Sequence, residues 1–156
     1  MILPVASEVN KKGHLVIGGV DVLELKEKYG TPLYIFDIAA IKSQCKSYRE
    51  SFDFPDLKTE IIYAGKAFIC TALCQLIDME GLGLDVSTGG ELFTAVKSSF
   101  PAERIYFHGN NKSCQEIEYG LSSKVGFFMV DNKMELAALE SMCRKKNIKQ
   151  KIMLRI

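Results

Sequence analysis

A chain of 156 residues, 47% hydrophobic and 25% charged, is long enough to bury a core and ordinary in composition for a globular protein. Its net charge of +1 gives no reason for a nucleic-acid, anionic-membrane or polyanionic partner. No apolar run reaches the roughly 18 residues of a membrane span, and Met1-Ile2-Leu3-Pro4 lacks the basic and apolar regions of a leader, which points to the cytoplasm.

Residues 1–36 differ in texture from the rest. Residues 14–17 and 33–36 read as strands, with a helix over 21–29 between them. Gly30-Thr31-Pro32 ends that helix, glycine supplying the cap and proline forbidding continuation. Asp37 caps a second helix that runs to about Tyr48, ahead of a turn at Asp53-Phe54-Pro55-Asp56. Residues 1–36 therefore read as an arm, and 37–156 as a more regular domain.

From Ile61 onward a strand and a helix alternate. The strands fall at 61–63, 82–86, 105–107, 126–130 and 151–156, and the helices between them at 69–80, 91–100, 114–121 and 134–147. Apolar strands separated by helices predict an α/β protein with a parallel sheet, either a (β/α) barrel or a doubly wound sheet.

Each strand runs into polar residues: Lys66, Asp85, His108 with Asn110, Asp131 with Asn132, and Arg155. The carboxyl ends of parallel strands face one way, so these residues define one polar face where a ligand would bind. Lys66 is either a solvated end-of-strand charge or an amine held to form a Schiff base. Asp131-Asn132 reads first as a helix cap. Arg155 interrupts an apolar run and needs a partner, for which Asp85 is a candidate.

Other motifs are weaker. Gly81-Leu82-Gly83 enters a strand instead of opening a helix, and Gly65-Lys66-Ala67 lacks the rest of a phosphate-cradling loop. Ser87-Thr88-Gly89-Gly90-Glu91 is either an anion-receiving helix N-terminus or a capped one. Arg144, Lys145, Lys146, Lys149 and Lys151 sit at a helix C-terminus, where cations offset the dipole. Cysteines 45, 70, 74, 114 and 143 contain no Cys-x-x-Cys pair and read as scattered reduced thiols, with no metal site.

Four segments together resemble one family. Gly30-Thr31-Pro32-Leu33-Tyr34, Tyr63-Ala64-Gly65-Lys66-Ala67-Phe68, Gly83-Leu84-Asp85-Val86-Ser87-Thr88-Gly89-Gly90-Glu91-Leu92 and Phe107-His108-Gly109-Asn110-Asn111-Lys112-Ser113 are similar, in this order, to segments of the diaminopimelate decarboxylases. The resemblance implies a pyridoxal-phosphate enzyme that pairs an alanine-racemase-like barrel with a β domain. It implies an N-terminal arm belonging to that β domain and about five strands of a (β/α)8 TIM-type barrel. Lys66 then matches the Schiff-base lysine, Asp85 an acidic residue beside it and Arg155 an arginine below the cofactor ring, with His108 a further cofactor-binding candidate.

The implied reaction is decarboxylation of meso-diaminopimelate to L-lysine, by a parent enzyme that is a homodimer acting on a small amino acid. The family protein is more than twice this length, so the resemblance implies an N-terminal portion that is inactive alone. A pyridoxal-phosphate homeostasis-type protein, a decarboxylase of another basic amino acid and a free-standing interaction module are the alternatives.

Overall fold

The computed structural model describes residues 6–156; the opening stretch 1–4, read above for a leader, lies outside them. The chain divides into two compact units, the first ending at Thr59 and the second spanning Glu60–Ile156.

In the first unit, β1 (Ser7–Val9), β2 (Leu15–Ile17) and β3 (Val20–Asp21) form an antiparallel sheet in that order. The turn between β1 and β2 is held by Asn10, whose side-chain oxygen accepts the Lys12 and His14 N–H groups. Asp21 then starts α1 (Val22–Tyr29) by accepting the Leu23 N–H. That bond, together with His14 Nδ1 at 2.8 Å, holds the Asp21 carboxyl below its ordinary range. Gly30 closes α1 by donating to the Lys26 carbonyl, and Asp37 opens α2 (Ile38–Ser51) by accepting the Ala39 and Ala40 N–H groups, as the sequence predicts.

Residues 33–36 depart from expectation: they form no strand, and Leu33, Tyr34, Ile35 and Phe36 are all exposed. An apolar run becomes a strand only when a neighbour completes its ladder, and no described strand pairs with this one. β1 and β3, at three and two residues, are too short to leave a periodic signal.

The second unit follows the predicted alternation closely. Strands β4 (Ile62–Ala64), β5 (Gly83–Val86), β6 (Ile105–Phe107), β7 (Phe127–Val130) and β8 (Lys151–Leu154) are separated by α3 (Thr71–Met79), α4 (Gly89–Lys97), α5 (Cys114–Ser122) and α6 (Lys133–Lys146). All four strand pairings are parallel, and the spatial order is the chain order. A doubly wound sheet reverses its order at a switch point, whereas a barrel adds each strand beside the last. The order decides for a partial (β/α)8 barrel.

Strand alternation gives this sheet two different faces. Leu84, Val86, Ile105, Phe107, Phe128 and Val130 point to the helices and are at most 3% exposed. Burying Phe107 and Phe128, whose tilted rings lie 5.5 Å apart, contributes on the order of 1.5–3 kcal/mol each. The opposite face carries Ala64, Asp85, Tyr106, Phe127, Met129 and Met153, which the register places side by side. Tyr106 stacks on Phe127 at 4.8 Å and donates to Glu60 Oε2 at 2.6 Å. Burial and the neighbouring carboxylate push its hydroxyl pKa up to about 12.

One local device recurs at three βα junctions. Thr88, Ser113 and Asn132 each cap a helix by accepting the N–H of a glutamate three residues on: Glu91, Glu116 and Glu135. The glutamates reach back in turn, Glu91 to the Ser87 N–H, Glu116 to the Ser113 N–H and Glu135 to the Asp131 N–H. The backbone just ahead of each of these helices, at Ser87, Ser113 and Asp131, is thereby tied to the helix.

Candidate functional site

Lys66 lies in a single 3-10 turn, Gly65–Ala67, directly after β4. Two features fix that turn. A Cβ on Gly65 would lie 2.6 Å from the Asp85 carbonyl oxygen, so only glycine lets the turn sit this close to β5. Across the turn, the Tyr63 hydroxyl donates to the Phe68 carbonyl at 2.9 Å. The backbone is tethered, but the Lys66 side chain is exposed and makes no hydrogen bond or ion pair among the described residues.

Asp85 and His108 come from adjacent strands and meet beside this turn. Asp85 Oδ2 is 3.5 Å from His108 Nδ1, and both side chains are largely covered. The other polar atom of each, Asp85 Oδ1 and His108 Nε2, is buried without a hydrogen-bond partner among the described residues. Buried polar atoms are normally paired, so two orphans on one side-chain pair mark a place that a polar ligand would complete. The backbone positions them: the His108 N–H donates to the Val86 carbonyl at 2.7 Å, and Gly109 follows at φ +98°. A side chain at Gly109 would also strike the Ser87 carbonyl, with its Cβ 2.5 Å away.

Arg155 extends β8 and lies on the same sheet face by alternation, its N–H donating to the Val130 carbonyl. Its partner is not Asp85. Arg155 Nη1 donates to Asp131 Oδ1 at 3.1 Å, from the end of the neighbouring strand. The register explains the correction: Val130 pairs with Leu154, so the next residues along, 131 and 155, are neighbours, while β6 and β7 separate Asp85 from β8. The cap of α6 is accordingly divided, Asn132 capping the helix while Asp131 holds the arginine. Asn110 is exposed in the loop after β6.

The N-terminus of α4, open to two readings from sequence, is capped at the Gly89 and Glu91 N–H groups. Thr88 and Glu91 form the cap, and the Gly89 N–H donates to Glu116 Oε1 of the next helix at 2.8 Å. Backbone N–H groups of Ser113 and Gly89 lower the Glu116 pKa, holding the carboxyl charged.

Sequence reasoning missed Lys112 as a structural centre. Its ammonium lies 2.7 Å from Glu135 Oε1 with both side chains at most 5% exposed, and it donates to the carbonyls of His108, Gly109 and Met129 at 3.2, 2.6 and 2.9 Å. The available signal was a lysine just past a strand end, together with a glutamate at the third position of a later helix; nothing local joins the two.

This geometry belongs to a recognised class. A family model described as the pyridoxal-dependent decarboxylase, pyridoxal binding domain, matches residues 38–156, and the chain belongs to that family. Pyridoxal phosphate is therefore the cofactor of the class, and the lysine amine and orphaned polar pair fit such a group.

Within the family the chain is similar to diaminopimelate decarboxylase of Bacillus subtilis (strain 168), at 50% identity over 156 residues, covering 100% of this chain and 36% of that protein. Diaminopimelate decarboxylase of Bacillus methanolicus is 49% identical over 96% of this chain and 35% of its own length. A crystal structure of diaminopimelate decarboxylase from M. jannaschii in co-complex with L-lysine superposes with a TM-score of 0.89 at 34% identity, covering 97% of this chain and 36% of that one. The chain thus spans about a third of the length of the relatives it matches. Among the described residues, no helix is long and apolar enough to cross a membrane.

Proposed function

We propose that this chain carries the cofactor lysine of a pyridoxal-phosphate-dependent decarboxylase that converts meso-diaminopimelate to L-lysine, and that it does not turn over alone. One observation carries the reading: Lys66, with no partner among the described residues, sits in the turn that packs on the Asp85 backbone, and Asp85 and His108 each keep a buried polar atom unpaired among those residues. The similarity to diaminopimelate decarboxylases supports the choice of substrate.

In this reading Lys66 supplies the amine for covalent attachment of pyridoxal phosphate and, once displaced by substrate, holds a proton for return to the reacting carbon. Bound cofactor supplies the electron sink that takes up the pair left as carbon dioxide departs. Asp85 and His108 orient the group through their open polar atoms, and Arg155, held by Asp131, adds positive charge on the same face. Residues 1–36 are read as an arm of a separate β domain, and the parent enzyme as a cytoplasmic homodimer. The test is carbon dioxide release from meso-diaminopimelate by the longest natural form of the chain. Release that is lost in Lys66→Ala is expected; cofactor binding with no release from this substrate would overturn the assignment.

A further inference from the structure

The buried pair Lys112–Glu135 has no part in the chemistry above, yet it bonds the backbone at the ends of β6 and β7 and reaches Arg155 after β8 through Asp131. An ammonium has three protons. Those of Lys112 go to the carbonyls of His108, Gly109 and Met129. The Glu135 carboxylate, at 2.7 Å, is then held by charge without a proton of its own. Its second oxygen accepts the Asp131 N–H at 3.3 Å, and the Asp131 side chain accepts from Arg155 at 3.1 Å. One continuous path therefore runs from the His108 backbone through Lys112, Glu135 and Asp131 to Arg155. At one end stands a residue with an orphaned buried nitrogen, and at the other an arginine that is 57% exposed.

We infer that Lys112 and Glu135 are positioning residues, an ionic lock that fixes His108 and Arg155 relative to each other for the cofactor; this rests on the reading of Lys66 given above. A lock that served only the fold would be replaceable. Paired apolar residues of similar volume commonly substitute for a buried ion pair with little loss of stability, because both desolvation costs vanish together. Such a replacement would still free the strand-end carbonyls and the Asp131 loop, leaving Arg155 without a defined position.

The experiment uses the longest natural form of the chain, titrated with pyridoxal phosphate and followed by the visible absorbance of the lysine-linked cofactor, with thermal unfolding measured beside it. Lys112→Met/Glu135→Met is expected to be more stable than Lys112→Met alone, yet to bind cofactor about tenfold more weakly than the parent, a coupling typical of residues in one network. Asp131→Asn, at the partly exposed end of the path, is expected to weaken cofactor binding severalfold with an unchanged unfolding temperature. Combined with the double substitution it should add almost nothing, since both act through Arg155. Parental cofactor affinity in either the double variant or Asp131→Asn overturns the lock. If the unsubstituted protein takes no cofactor at Lys66, the underlying reading fails instead, and that is visible before any substitution is made.

Discussion

Lys66 and Lys112 both follow strands of the same parallel sheet, and their surroundings are opposite. Lys112 is 1% exposed, with three carbonyls and a carboxylate around its ammonium. Lys66 is exposed and has no partner among the described residues, although the turn that bears it is tethered at Gly65 and across Tyr63 to Phe68. Burial and full hydrogen bonding make a lysine a rivet, because its amine has no proton or lone pair left to offer. Chemistry needs the other arrangement, a fixed backbone under an uncommitted amine.

Substitutions should separate the two lysines. The largest stability loss is expected for Lys112→Met, which leaves Glu135 buried and uncompensated at a cost of about 3–5 kcal/mol; chemical denaturation measures it. Gly65→Ala comes next, because its Cβ would meet the Asp85 carbonyl at 2.6 Å and push β4 from β5, for roughly 1–3 kcal/mol. Lys66→Ala should change stability by no more than about 0.5 kcal/mol, as expected for an exposed side chain with no hydrogen bond or ion pair among the described residues. A loss at Lys66 as large as that at Lys112 would erase the distinction.

The smallest effect belongs to Glu116. Its pKa is lowered in the folded state, so its contribution is fully present above the ordinary value of 4.5 and is lost as pH falls through the folded value. Glu116→Gln should therefore lower stability slightly in the neutral region and flatten the acid side of the profile, the two proteins converging at low pH.

The barrel segment was legible because its signals are local. Apolar runs such as Ile105-Tyr106-Phe107, followed by helical periodicity, survive any tertiary arrangement. The polar strand ends were legible for the same reason, as each is a polar residue within or just after such a run. Leu33-Tyr34-Ile35-Phe36 misled because a strand is defined by its neighbour, which a single sequence does not display. Chemistry alone offers Asp85 as one candidate partner for Arg155; strand order, a long-range property, gives it Asp131. Lys112 and Glu135 were invisible together because 22 residues and a complete helix separate them. Strand order also settled what alternation left open, a barrel or a doubly wound sheet.

The contrast between the lysines yields the most direct test of the account. Borohydride reduction of the protein with pyridoxal phosphate, followed by peptide mapping, should place the cofactor on Lys66 and leave Lys112 unlabelled. Cofactor found on Lys112, or on any lysine other than Lys66, would contradict the account.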